Sequence, residues 1–161
     1  MIVVTTDHGR DAETGKNHGG QSDRERTVWI TTNVKSLNEQ FKNNPASVDI
    51  MPSILRFMNI EIPFDIKREV DGVPFIGKVS VANLKASKND NQIDLQWHVL
   101  NPEGEAEIFI ATTNQFKDGK NDEYKSVGKV KVREGKFRFA APASSAFYKL
   151  VLQAPHNMIN T

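Results

Sequence analysis

The chain opens on a short apolar, β-branched run, Ile2-Val3-Val4-Thr5-Thr6, whose composition predicts a strand buried on both faces. Polar, glycine-containing sequence follows from Arg10 to Arg26. Strand character returns over Thr27-Val28-Trp29-Ile30-Thr31-Thr32, with Trp29 expected in the core among its strand-forming neighbours. Asn33 to Asn44 reads as a polar connection with a short helical turn at Ser36 to Phe41. Between Pro45 and Asn59 the period lengthens. Val48, Met51, Ile54 or Leu55, and Met58 recur at three- and four-residue intervals, which predicts a helix with one apolar stripe facing a sheet. If Ser47 or Asp49 caps that helix, Pro52 falls in or near the first turn, where a missing N–H costs little. Asn59 suits the left-handed terminating conformation, and Pro63 prevents continuation. Ile60 to Gly77, punctuated by prolines, reads as a junction between domains.

From Lys78 onward the pattern has period two. Val79, Val81 and Leu84 begin one strand, Ile93, Leu95 and Trp97 a second, and Ala106, Ile108 and Ile110 a third. Val127, Val130 and Val132 mark a fourth region, Phe137 and Phe139 a fifth, and Phe147, Leu150 and Leu152 a sixth. Turn sequences at Asn89-Asp90-Asn91, Pro102-Glu103-Gly104, Lys117-Asp118-Gly119 and Glu134-Gly135 separate most of them. Such a series predicts an antiparallel β-sandwich of fibronectin type III or immunoglobulin character, with Trp97 as a buried anchor. His98 alternates outward from Trp97, and His156 lies near a terminus expected to fray. Neither has a carboxylate pair beside it. Tyr124 or Tyr148 could serve a glycan- or protein-binding role, with packing or scaffolding as the plainer reading. The fold class expected is therefore an α+β chain in two parts, residues 1–77 and residues 78–161, the second an antiparallel β-sandwich.

At 161 residues the chain suffices for one ordinary domain or two small ones. A net charge of +1, from 21 Lys and Arg against 20 Asp and Glu, gives no global attraction to nucleic acid or an anionic membrane. No apolar run approaches the roughly 20 residues that cross a bilayer. The absence of cysteine rules out disulfides and thiolate metal sites.

The candidate chemistry sits where the first strand stops. Asp7-His8-Gly9 lies at its carboxyl end, the place where ligands collect in open α/β sheets, and His18-Gly19-Gly20 follows after a polar loop. Adjacent side chains of a pleated strand point to opposite faces, so Asp7 and His8 can share an ion only where the chain leaves the pleat. Carboxylate oxygen and neutral imidazole nitrogen suit a divalent ion such as zinc or manganese, and three ligands leaving an open position would suit catalysis. Arg24, Glu25 and Arg26 could contact an anionic substrate, although such a cluster is more commonly a solvated face.

Val3-Val4-Thr5-Thr6-Asp7-His8-Gly9-Arg10, His18-Gly19-Gly20 and Arg26-Thr27-Val28-Trp29-Ile30 together resemble the C-terminal metal-binding segment of the alkaline phosphatase superfamily, with the phosphodiesterase and nucleotide pyrophosphatase branch as the best match. Val48 to Leu55 resembles the helix that follows in those enzymes, and Asp71-Gly72-Val73-Pro74-Phe75 the short segment closing the catalytic domain. The resemblance implies an alkaline-phosphatase-like α/β fold for residues 1–77 and two metal ions, usually zinc, flanking a transferred phosphoryl group. Asp7 and His8 would ligate one ion and His18 the other, and the substrate would be a phosphate ester. Members of the superfamily carry the nucleophilic Thr or Ser and further Asp and His ligands on strands N-terminal to this segment, so no catalytic residue is assigned here. Met1 is then an internal methionine or a start residue of a C-terminal piece, inactive alone, and the parent enzyme is expected to be exported, in the periplasm or outside the cell. A sulfatase is a nearby variant. The alternative is that the functional unit is the sandwich, a non-catalytic binding or packing module, with the N-terminal stretch a vestige. A strand meant for a sheet interior but lacking neighbours also predicts disorder of the first forty or so residues or self-association through the exposed edge.

Overall fold

A computed structural model describes residues 1–43, 45–142 and 145–161, so that Asn44, the last residue of the expected polar connection, lies outside the described residues. Ile2-Val3-Val4-Thr5 does extend, but β1 (Val3–Thr5) pairs antiparallel with β2 (Ile30–Thr32), Val3 opposite Thr32 and Thr5 opposite Ile30. Burial on both faces requires layers above and below the strand. Among the described residues no second strand joins β1 and no layer covers it, so Ile2 is 62% exposed and Val4 46%. Trp29 is likewise 53% exposed rather than in the core. The two-stranded ribbon is the only sheet described within the first forty residues, and the outer edge of β1 pairs with no further strand there. That edge and its apolar faces predict association at raised protein concentration. Size-exclusion chromatography with light scattering should show the mass rising with loading, and a constant monomer mass would count against it.

The polar stretch after β1 contains α1 (Asp23–Arg26), a single turn fixed by a reciprocal capping box between Ser22 and Glu25. A second short helix, α2 (Glu39–Lys42), overlaps the expected turn and is capped by the Asn38 side chain on Gln40 N–H. The expected longer helix is α3 (Ile50–Phe57), preceded by a 3-10 turn at Ser47–Asp49, which leaves Pro52 in the first turn. Asn59 adopts φ 54° and Ile60 N–H reaches Leu55 O at 2.8 Å, the left-handed termination expected of asparagine there.

The orientation of α3 differs from expectation. Val48, Met51, Ile54 and Met58 are exposed, whereas Pro52 and Ser53 are buried. The buried face rests on the extended segment Gly72 to Ile76, whose Val73, Phe75 and Ile76 side chains are themselves buried, and hydrogen bonds fix the contact. Phe75 N–H donates to Ser53 Oγ at 2.9 Å and Val73 N–H to Asp49 Oδ1 at 2.7 Å. A short helix, α4 (Phe64–Lys67), lies in the intervening passage.

The C-terminal strands are β3 (Val81–Asn89), β4 (Gln92–Val99), β5 (Glu105–Ala111), β6 (Lys125–Lys131), β7 (Lys136–Ala140), β8 (Lys149–Gln153) and β9 (Met158–Asn160). They form two antiparallel sheets, ordered β3-β4-β7 and β6-β5-β8-β9. One core joins them. Ile93, Leu95 and Trp97 of β4 meet Ile108, Ile110, Leu150 and Leu152 in a single buried cluster, as period-two alternation requires. Trp97 is 6% exposed, its indole N–H donating to Val132 O at 3.1 Å, and His98 faces outward. The end of the chain does not fray as expected: β9 pairs with β8, and His156 is half-buried in the turn between them.

Residues 45–77 are bonded onto these sheets. Arg56 donates to Ile76 O and Lys78 O through Nη1 and to His156 O through Nη2, while Asn160 Nδ2 donates to Arg68 O. The Arg68 guanidinium lies over the rings of Phe64, Tyr124 and Phe109, at 4.4, 4.9 and 5.1 Å from their centroids. Among the described residues no helix is long and apolar enough to cross a membrane.

Candidate metal centre

Beyond Thr5 the chain leaves the pleat, and the two adjacent side chains expected to diverge can converge. Gly9 is the reason the turn fits. Its N–H donates to Glu25 O at 2.7 Å, and a Cβ there would overlap the Arg24 carbonyl oxygen and lie 2.9 Å from that of Thr27. Asp7 Oδ1 accepts the His8 N–H at 3.0 Å, which turns the carboxylate back toward the imidazole.

His8 Nδ1 lies 2.6 Å from Gly9 O. A carbonyl oxygen can only accept, so Nδ1 carries the proton, and in the neutral ring Nε2 is left with its lone pair. That nitrogen faces Asp7 Oδ1 at 3.5 Å. Lone pairs on both atoms repel unless a cation, either a proton or a metal ion, lies between them. Two ligands on one tetrahedral zinc, with bonds of about 2.0 to 2.2 Å, are separated by about 3.4 Å. The backbone carbonyl on the far nitrogen is also the partner that orients a metal-ligating histidine. The donor set thus fits an ion held by Asp7 and His8.

His18 is brought to the same place. Its ring stacks on that of His8, centroids 4.4 Å apart and planes 16° from parallel. Imidazole lone pairs lie in the ring plane, so two nearly parallel rings aim past one another rather than at a common point. Consistently, among the described residues no group of three or more His, Asp or Glu side chains converges on one ion position.

Two carboxylates hold this arrangement, Asp11 and Glu25, the second read above only as part of a charged cluster that could contact an anionic substrate. Asp11 accepts hydrogen bonds from the N–H groups of Glu13, Thr14, Lys16 and Asn17 and from the Thr14 hydroxyl, closing the loop before His18. The Thr14 N–H and hydroxyl above all hold its pKa far below the ordinary carboxylate range. Glu25 accepts from the Ser22 hydroxyl at 2.6 Å and from Gly20 N–H at 2.9 Å, contacts that lower its pKa in the same way. The flanking arginines are engaged locally: Arg26 pairs with Asp23, and Arg24 Nη1 reaches Ala12 O at 3.4 Å. The S-x-x-E spacing of Ser22 and Glu25 was the available signal, since it marks a helix start.

A second polar cluster lies far along the chain. Lys149 Nζ sits between Glu69 Oε2 at 2.7 Å and Asp122 Oδ2 at 2.6 Å, and Tyr124 donates its hydroxyl to Glu69 Oε1 at 2.7 Å. Burial, together with that acidic neighbour, pushes the Tyr124 phenol above its ordinary range. Its hydroxyl is tied to Glu69 inside the protein. A cleft of about 410 Å³, lined by Leu55, Ile60, Phe64, Lys67, His156 and Met158 among others, lies between α3 and the β8–β9 turn and includes none of Asp7, His8 or His18. Comparison of the chain with known protein families, with curated proteins and with solved structures finds no match in any of the three.

Proposed function

We propose that residues 1–77 supply metal ligands to a two-metal phosphohydrolase of the alkaline phosphatase superfamily, in the phosphodiesterase and nucleotide pyrophosphatase branch or its sulfatase neighbour. The observation that carries the reading is the His8 Nε2 to Asp7 Oδ1 approach at 3.5 Å, with Nδ1 committed to Gly9 O. Asp7 and His8 hold one ion. His18, stacked so that its lone pair points elsewhere, serves the other. When bound, such a pair of ions activates the nucleophile and neutralises charge on the transferring group. Exposed apolar side chains add support. Ile2, Val4, Trp29, Val48, Met51 and Ile54 occupy the positions that a larger α/β layer structure would cover.

The sandwich, whose strand order fits a fibronectin type III-like module, then acts as a packing unit. The reading of it as a binding module for glycans is less well supported, because Tyr124 is tied to Glu69.

Isothermal titration of the chain with zinc chloride tests the metal reading. Binding is expected in the wild type and at least tenfold weaker in Asp7→Ala and in His8→Ala. Equal affinity in all three, or no heat in the wild type, would discard it.

A further inference from the structure

We infer that Glu25 is the positioning residue that holds the two histidine-bearing loops in register, an inference that rests on the metal-centre reading above for its chemical purpose. Glu25 bonds both loops at once. Its backbone carbonyl takes the N–H of Gly9, next to His8, and its carboxylate takes the N–H of Gly20, two residues beyond His18. Both bonded partners are glycines, and Gly9 is closed in by backbone. A Cβ on Gly9 would overlap Arg24 O, and one on Gly20 would overlap the Glu25 carboxylate. The single turn α1 therefore forms a floor against which the two loops lie with backbone contact.

Asp11 makes the other tie, its N–H donating to Asn17 O at 3.0 Å and its carboxylate accepting from Asn17 N–H at 2.7 Å, next to His18. The chain between Gly9 and His18 is exposed from Ala12 onward and closes on itself through Asp11, whose bonds reach residue 17 and no farther. Asp11 thus gives the loop its shape, while Glu25 sets where its far end lies relative to Asp7 and His8. The four-residue helix has the reciprocal Ser22 cap to keep the Glu25 side chain turned back toward Gly20. Stacking of the two rings at 4.4 Å is the result.

The test uses the full chain and two readouts. Nuclear Overhauser contacts between the His8 and His18 ring protons report the stack directly, and titration with zinc chloride reports its use. In Glu25→Ala the inter-ring contact should vanish and zinc binding should weaken at least tenfold, with the amide spectrum of the sandwich residues unchanged. Glu25→Gln keeps one carbonyl oxygen for Gly20 N–H and should restore the inter-ring contact. Persistence of that contact in Glu25→Ala, or its absence from the wild type, overturns the inference. A wild type with the contact intact and no zinc binding instead overturns the metal reading alone.

Discussion

Replacing Lys149 by methionine is expected to lower the unfolding free energy by about 3 kcal/mol, the lower end of the cost of breaking a buried ion pair. The lower end applies because Lys149 keeps 24% of its side chain exposed, although Asp122 is fully enclosed and Glu69 nearly so. Methionine fills a similar volume, so the loss reports the two carboxylates left without a cation. The pH dependence identifies the cause. Burial alone would raise the Asp122 pKa, but the Lys149 ammonium and the Gln115 N–H outweigh it and hold the carboxyl below its ordinary range. Its contribution is therefore complete above the ordinary carboxylate range and fades as pH falls through the depressed value. Lys149 behaves in the opposite sense. Burial opposes its charge, yet Asp122 and Glu69 raise its pKa, so its contribution is complete below the ordinary lysine range and fades as pH climbs through the raised value. The deficit of Lys149→Met should be widest between these limits and shrink toward both. Urea unfolding at several pH values checks this, and a deficit independent of pH would assign the loss to packing.

Most of the sandwich was legible because most of its strands carry their own evidence. Ile93, Leu95 and Trp97 alternate inward regardless of what precedes them, and turn residues such as Asp90, at φ 52°, punctuate them. β9 was not legible, since three residues following Pro155 are too few for a period to appear. The α3 stripe teaches a different limit. Periodicity tells which face of a helix is apolar, not what lies against it, and here the polar side, Asp49 and Ser53, is the one pinned. In the site, Asp7, His8 and His18 could be named because ligand chemistry depends on residue type. Their holders could not. Asp11 acts mainly through backbone N–H groups, which leave no trace in side-chain composition, and the Ser22-x-x-Glu25 spacing marks a helix start without marking that the carboxylate also holds Gly20. Lys149 and its partners are 80 and 27 residues apart, and isolated charges at such separations read as solvated surface.

The inverted face of α3 bears on how the two parts of the chain depend on one another. With its apolar stripe uncovered, the helix owes its placement to the network beneath it together with the buried Val73, Phe75 and Ile76 of the segment it rests on. Asn38 extends that network, donating its amide to Pro74 O and Gly77 O while its backbone N–H reaches Phe75 O. Arg56 carries it across to the sheets at Lys78 and His156. Residues 45–77 are thus attached both through Val73 in the core of the sheets and through directional bonds, whose loss is costly when a shared acceptor is removed.

Asp49 is that shared acceptor, and Asp49→Ala is expected to cost about 3 to 5 kcal/mol, because each buried donor left unsatisfied costs about 1 to 3 kcal/mol. Three donors converge on its carboxylate: Val73 N–H at 2.7 Å on Oδ1, and Gln40 Nε2 at 2.9 Å and Ala46 N–H at 3.0 Å on Oδ2. The residue is 3% exposed, so water does not readily replace it. The adjoining backbone is equally tight, for a Cβ on Gly72 would overlap the Val48 carbonyl. The two tryptophans locate the damage. Trp29 belongs to the N-terminal ribbon and Trp97 to the sandwich core, so Trp29→Phe and Trp97→Phe backgrounds report each part by fluorescence. In Asp49→Ala, the Trp29 transition should move to lower urea while that of Trp97 moves less. If both shift equally, the sheets and the N-terminal segment unfold as one unit, and the sandwich is not the independently stable part that its single core implies.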